Sequence, residues 1–288
     1  MSLSKKFRGA AVVVAVAAMA LTGCSSSDDE TTSAAPTTSG DAAPALETFT
    51  EGKLTIATGE PAFSPWVLND APESGEGFEA AVAYAVAEEL GFAKEDVVWV
   101  RTPFESAIAP GPKDWDFNIQ QFSITEDRKA AVDFSSPYYT TSQAVLTTEG
   151  SKAAGAASIA DLTDLTVGVS TGSTSYTTAV AQLGEDHVQV FNTNDDVVAA
   201  LTAGQIDALV IDLPSAFYLR DAVLDGGKII GQLPDSTEGG DQYGLLLAKD
   251  SPLTAAVTAA VDALTADGTL AALEEQWLNN AENVPVLQ

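Results

Sequence analysis

"VQVFNTNDDVVAALTAGQIDALVIDLP", Val188–Pro214, decides the fold. It reads as a strand, a polar turn, a short helix, a glycine turn and a second strand opened by Asp207. "VVWVRTPFESAIAPGPKDWDFNIQQFS", Val97–Ser123, follows the same order, its second strand opened by Asp116. Upstream of each lies a strand entering a glycine-containing polar turn: "KLTIATGEPAF" at 53–63 and "DLTVGVSTGST" at 164–174. Strands alternating with helices predict an α/β fold, and the doubled pattern predicts two similar lobes.

The flanking segments extend this reading. Residues 53–58 predict a strand that turns at Gly59, and 96–102 and 116–123 predict two more. Residues 77–92 predict a helix with Val82, Val86 and Leu90 on one face and Gly91 as its stop. Pro103 opens a short helix over 103–109. Ser251 and Pro252 open another, with Leu253, Val257, Val261 and Leu264 at helical spacing and Gly268 as a breaker. Leu270, Leu273 and Trp277 form the next apolar face. Ligands of open α/β sheets bind beyond the carboxyl ends of the strands. Two facing lobes would therefore converge four polar turns, 59–66, 121–128, 170–175 and 212–215, on one cleft.

Residues 1–23 carry Lys5, Lys6 and Arg8 before an apolar run at 9–21, too short to span a bilayer, and predict a secretory signal. "LTGC", Leu21–Cys24, resembles the bacterial lipobox, which implies a lipid on Cys24, the only cysteine of the chain. Residues 24–48, rich in Ser, Thr, Ala, Asp and Pro, predict a disordered tether, with the folded part beginning near Phe49. The chain has 13 Lys plus Arg against 41 Asp plus Glu, and loss of residues 1–23 leaves 10 against 41. So acidic a surface argues against nucleic-acid binding.

Few groups suit catalysis. His187 is the single histidine and lies in a polar loop, and with one lipidated cysteine no zinc site is expected. No P-loop occurs. The informative stretch is "SITEDR", Ser123–Arg128. Thr125 can cap a helix whose first turn carries Glu126 and Asp127, and Arg128 offers a planar fork to a carboxylate. By residue type alone, Arg128 equally suits a solvated pairing with neighbouring acids. "STGSTS" at 170–175 suits either an anion cradle or an ordinary strand–helix turn. Asp212 ends an apolar strand and suits both an ammonium partner and a helix cap. Phe63, Trp66 and Phe104 lie in turns and suit either a clamp or core packing.

Together these stretches resemble the extracellular solute-binding proteins of family 3, receptors of polar amino-acid ABC transporters. The likeness runs from about Leu54 to Leu278. It is carried by "FSITEDR…VDFSSPYY" (122–139), "DLTDLTVGVSTGST" (161–174), "ALTAGQIDALVIDLPSA" (200–216), "YGLLLAKDSPL" (243–253) and "ADGTLAALEEQW" (266–277). The resemblance implies a two-lobed, type II periplasmic-binding-protein-like fold, each lobe a central sheet flanked by helices. Two hinge crossings are implied near Thr141–Gln143 and Asp241–Tyr243. Residues 49–141 and 242–288 would form lobe 1, and 142–241 lobe 2.

The resemblance also implies roles. Arg128, with the backbone of Ser123, would clamp an α-carboxylate, helped by Ser173 and Thr174. Asp212 would take the α-ammonium, and Phe63 and Phe104 would sandwich the ligand. Gln120 and Gln121 stand where small hydroxyl residues are common, and Glu79 where aspartate is common. Gln121 can add amide contacts, and Glu60 permits a cationic side chain. The expectation is a monomeric, lipid-anchored receptor on the outer face of the cell membrane, without cofactor or metal. It would pass an amino acid to an ABC permease. Two alternatives stand beside it: an enzyme on the same fold, of the cyclic-acid dehydratase type with Glu60 as its acid or base, and a ligand-sensing co-receptor.

Overall fold

The structure is a computed structural model and describes residues 46–235, 240–278 and 283–288. The expected signal at 1–23, Cys24 and residues 24–45 of the expected tether lie outside the described residues.

The chain enters the first lobe with β1 (Leu54–Thr58), α1 (Phe78–Glu89), β2 (Val97–Arg101), α2 (Phe104–Ile108), β3 (Phe117–Asn118), the single turn α3 (Glu126–Lys129) and β4 (Val132–Thr141). It crosses to the second lobe for β5 (Gln143–Thr148), β6 (Val167–Ser170), α4 (Thr174–Leu183), β7 (Val188–Phe191), α5 (Asn194–Thr202), β8 (Ala208–Asp212), α6 (Leu213–Tyr218) and β9 (Gly227–Gln232). It returns with β10 (Asp241–Ala248), α7 (Thr254–Ala266) and α8 (Thr269–Leu278).

The two sheets share one plan. The first has the order β2-β1-β3-β10-β4 and the second β7-β6-β8-β5-β9. In each, three parallel strands are extended by two antiparallel ones. The aspartate that opens the repeated strand does the same work twice. Asp116 Oδ2 accepts from the Thr55 amide at 2.6 Å and Asp207 Oδ2 from the Thr166 amide at 3.0 Å. Each carboxylate thus satisfies a backbone N–H where the neighbouring strand begins, which is the physical content of the doubled pattern.

The helices bury the faces their spacing predicts. Val82 and Val86 of α1, and Val257, Val261 and Leu264 of α7, join Leu54, Ile56, Leu245 and Leu247 in one core. Each fully buried side chain of this size contributes about 1.5–3 kcal/mol. Gly77 precedes α1 at φ 103°, and a Cβ there would lie 2.5 Å from the Trp66 carbonyl oxygen. Only glycine lets α1 start so close to that turn. Two clusters, around Val145 and Val210 and around Leu146 and Leu209, cover the two faces of the second sheet.

Three differences from the sequence reading follow from long-range contacts. The strand expected over 116–123 is only Phe117–Asn118, because Gln121 turns at φ 50° into a polar loop. Leu46, assigned to the tether, packs against the first lobe's core. Residues 283–288, expected with lobe 1, lie on the second lobe. There Leu287 joins that core and its amide donates to the Gln232 carbonyl at 2.8 Å.

The two crossings run side by side. β4 ends at Thr141 and β5 begins at Gln143, while Asp241 of β10 pairs with Thr141. Gln143 in turn pairs with Asp212 at the end of β8. The hinge and the carboxyl end of a central strand are therefore adjacent.

Candidate functional site

A cavity of about 170 Å³ lies between the lobes. It is lined from one side by Glu60, Phe63, Phe104, Glu105, Gln120, Gln121 and Arg128, and from the other by Ser173, Thr174, Ser175, Asn194 and Asp212. The four turns expected to converge all contribute to it.

Arg128 is held by its own loop. The Thr125 hydroxyl oxygen accepts the Arg128 amide at 3.2 Å and caps the turn. α3 is only one turn long, so it positions Arg128 and offers little of the helix N-terminal field expected from the sequence. Nη1 donates to the Ser123 carbonyl at 2.7 Å and Nη2 to the Gly172 carbonyl, on the opposite lobe, at 2.9 Å. The guanidinium lies 5.4 Å from the Phe104 ring centre, and Phe104 stacks on Phe122 at 4.8 Å. Two of the five N–H groups of the guanidinium are thus occupied, and three remain for an anion. Burial lowers its pKa from the ordinary value, opposed first by Asp241 and then by Tyr243, Asp212 and Glu105. Gly172 sits at φ 67°, a conformation that favours glycine, and a Cβ there would displace the flexible Glu105 carboxylate.

The hydroxyl residues split. Thr174 Oγ1 lies 3.1 Å from Ser123 Oγ, joining the lobes beside Arg128. Ser123 is buried behind the arginine and supplies its carbonyl. Ser173 caps α4: its Oγ accepts from the Tyr176 amide and donates to the Ser170 carbonyl at 2.7 Å. Its hydroxyl is therefore spent on the helix end.

Asp212 makes no helix-capping bond. Its Oδ1 accepts from Gln143 Nε2 at 2.7 Å. Burial pushes its carboxyl up to about 6, against the steadying effect of Tyr243 and Gln143, while nearby Asp241 pushes it further up. The Tyr243 hydroxyl makes no well-aligned hydrogen bond, yet lies close enough to Asp212 to affect it. A carboxyl of this kind, beside an acidic neighbour, is a place where a cation relieves strain in the charge distribution.

Gln121 reaches the cavity with its nitrogens already engaged. Its amide donates to Glu79 Oε1 at 2.7 Å, and Nε2 donates to Glu79 Oε2. The Tyr138 hydroxyl also donates to Glu79. Glu79 is fully buried, and that burial raises its carboxyl to about 7. Gln121 keeps its side-chain oxygen and the second N–H of Nε2 for a ligand. Gln120 Oε1 likewise has no partner among the described residues.

One expected clamp is a core residue. Trp66 is 1% exposed and stays out of the cavity lining. It packs edge-on against Phe78, Tyr139 and Tyr243, and its indole N–H donates to Ser215 Oγ at 2.8 Å. The Phe63–Val67 turn folds inward under α1, so a residue that reads as a turn aromatic becomes buried. The sequence reading passed over Gln143, Asp241 and Glu105. The first two lie at the expected crossings, and that location was the signal available to find them.

Comparison with known proteins gives the family and the fold. Residues 54–280 match the family described as bacterial extracellular solute-binding proteins, family 3. An L-arginine-binding protein of Pseudomonas aeruginosa is 30% identical over 242 residues, covering 82% of this chain and 92% of that protein. An ancestral arginine-binding protein solved with arginine is 31% identical with a TM-score of 0.65, over 79% of this chain and 99% of that one. An ancestral amino acid-binding protein, described as a precursor of cyclohexadienyl dehydratase, is 29% identical with a TM-score of 0.64, over 79% and 96% of the two chains. The fold is the two-lobed type II periplasmic-binding architecture.

Proposed function

The chain belongs to the bacterial extracellular solute-binding proteins of family 3, and on that premise we propose that it is an amino-acid receptor. It binds an α-amino acid between its lobes and delivers it to an ABC permease. A lipid on Cys24 anchors it to the outer face of the membrane. One observation carries this reading: Arg128 and Asp212 line the same cavity from opposite lobes. A guanidinium and a carboxylate there match the two charges of an α-amino acid.

The ligand's side chain is cationic in this reading. Glu60 lines the cavity with no hydrogen-bond or ion-pair partner among the described residues, and Gln120 Oε1 is a buried acceptor without a partner there. A guanidinium or ammonium satisfies them, and a carboxylate side chain would be repelled. The relatives named for arginine support this choice.

The protein does not catalyse a reaction in this reading. Glu60, the acid or base of the dehydratase alternative, lines the cavity and in this reading faces the ligand's cationic side chain instead. A thermal-shift screen across the standard amino acids tests the proposal. Arginine, lysine or histidine should stabilise most, a ligand at 100 times its Kd adding about 2.7 kcal/mol. Stabilisation by none of the amino acids, or by acidic ones alone, would overturn it.

A further inference from the structure

Gln143 is the first residue of β5 and is 3% exposed. Its side-chain amide has both N–H groups engaged and its oxygen accepting. Nε2 donates to Asp212 Oδ1 at 2.7 Å and to Asp241 Oδ2 at 2.8 Å. Oε1 accepts from Ser175 Oγ at 2.6 Å. The three partners belong to three different elements: the end of β8, the start of β10 at the second crossing, and the first turn of α4. A primary amide has two N–H donors, and here they face one carboxylate each. Glutamate would bring a third carboxylate to the same place, and leucine or methionine would leave both oxygens without a donor.

Asp212 and Asp241 are thereby held next to each other by a neutral group, their mutual repulsion left for another charge to relieve. The charged and titratable groups around Asp212 are Asp241 and Tyr243 on β10, Tyr138 and Tyr139 on β4, Glu79 on α1, and Arg128 on α3. All but Arg128 are acidic or phenolic, and Arg128 already spends N–H groups on two carbonyls.

We propose that Gln143 is the positioning residue of the ammonium site: it fixes the Asp212 carboxylate for the ligand, keeps Asp241 beside it, and ties both to the hinge crossings. The inference rests on the reading of Asp212 as the ammonium partner. Gln143 itself does not line the cavity and touches the ligand only through Asp212. Its position makes ammonium recognition a property of the hinge, because the same amide bonds both the ligand-facing carboxylate and the second crossing.

The test uses the full chain with Gln143→Met, which keeps the length and apolar stem but removes the amide. The first readout needs no ligand: ¹³C NMR titration of the Asp212 carboxyl. Loss of the amide donor should move its midpoint upward, and an unchanged midpoint would overturn the proposal. The second readout compares L-arginine with its deaminated analogue, 5-guanidinopentanoate. Gln143→Met should cut the preference for arginine by about tenfold or more, the effect of losing a hydrogen bond to a charged group. A merely structural role would weaken both ligands equally and would also overturn it. Should Gln143→Met fail to fold, Ser175→Ala frees the other end of the amide and should move both readouts in the same direction by less. Asp212→Asn separates the two claims. If it keeps the preference for arginine, the ammonium reading itself fails. If it loses the preference while Gln143→Met keeps it, only the positioning role fails.

Discussion

The Trp66 indole N–H donates to Ser215 Oγ at 2.8 Å, joining the core of the first lobe to the start of α6 in the second. Both residues are buried, at 1% and 9% exposure. The bond spans the lobes without touching the cavity lining, so it favours the closed arrangement independently of what is bound. Ser215→Ala and Trp66→Phe should each weaken binding of every ligand by roughly the same factor, about 3- to 10-fold, as expected for one net hydrogen bond. Calorimetry with arginine and lysine checks this, and small-angle scattering should report a smaller closed fraction. A change in selectivity between the two ligands would contradict the latch.

Binding should weaken in acid. Asp212 has its carboxyl raised to about 6 by burial when the cleft is empty. An ammonium beside it lowers that value, so binding releases a proton below about pH 6. Affinity is then fully expressed above that pH and falls by up to about tenfold per unit below it. Asp212→Asn should flatten the profile over this range as well as weaken binding. A wild-type affinity constant from pH 7 to pH 5 would remove Asp212 from the role.

Glu79 ties stability to pH with the opposite sense from an ordinary salt-bridged acid. Its folded value is raised from 4.5 to about 7 by burial. The unfolded chain therefore loses this proton first as pH rises. The contribution is fully present below about pH 4.5, declines between about 4.5 and 7, and levels off above. The decline amounts to on the order of a few kcal/mol. Urea unfolding of wild type should show lower stability at pH 8 than at pH 5, with a smaller difference in Glu79→Gln. An equal difference in both would show that other groups carry it.

The membrane anchor is tested apart from the fold. Cys24→Ala should release the protein into the medium or leave its signal uncleaved. Unchanged attachment of the mutant would contradict a lipid on that residue.

Much of the architecture was legible because it rests on local patterns. Val82 and Val86, or Val257, Val261 and Leu264, mark buried faces by spacing alone. Asp116 and Asp207 mark equivalent strand starts because a carboxylate there answers a neighbouring backbone amide. Arg128 stood out because cations are scarce in the chain. What stayed hidden depends on contacts between distant segments. Trp66 reads as a turn residue, and only the packing of that turn against Tyr139 and Tyr243 makes it core. Gln143 is one polar residue among several, following Thr140, Thr141 and Ser142, and its three partners lie 32, 69 and 98 positions away. Leu287 lies beyond the expected first-lobe helices, yet its partners are in the second lobe.

The central claim is that Arg128 is the carboxylate hook of an amino-acid receptor, and calorimetric titration of Arg128 variants with arginine tests it most directly. Lysine keeps the charge but cannot form the planar fork, so Arg128→Lys should weaken binding substantially. Arg128→Ala should cost on the order of 2–5 kcal/mol, or about 30- to 5,000-fold in Kd, while the ligand-free protein keeps its fold. Wild-type affinity in Arg128→Ala would contradict the account, because the ligand's carboxylate would then be held elsewhere.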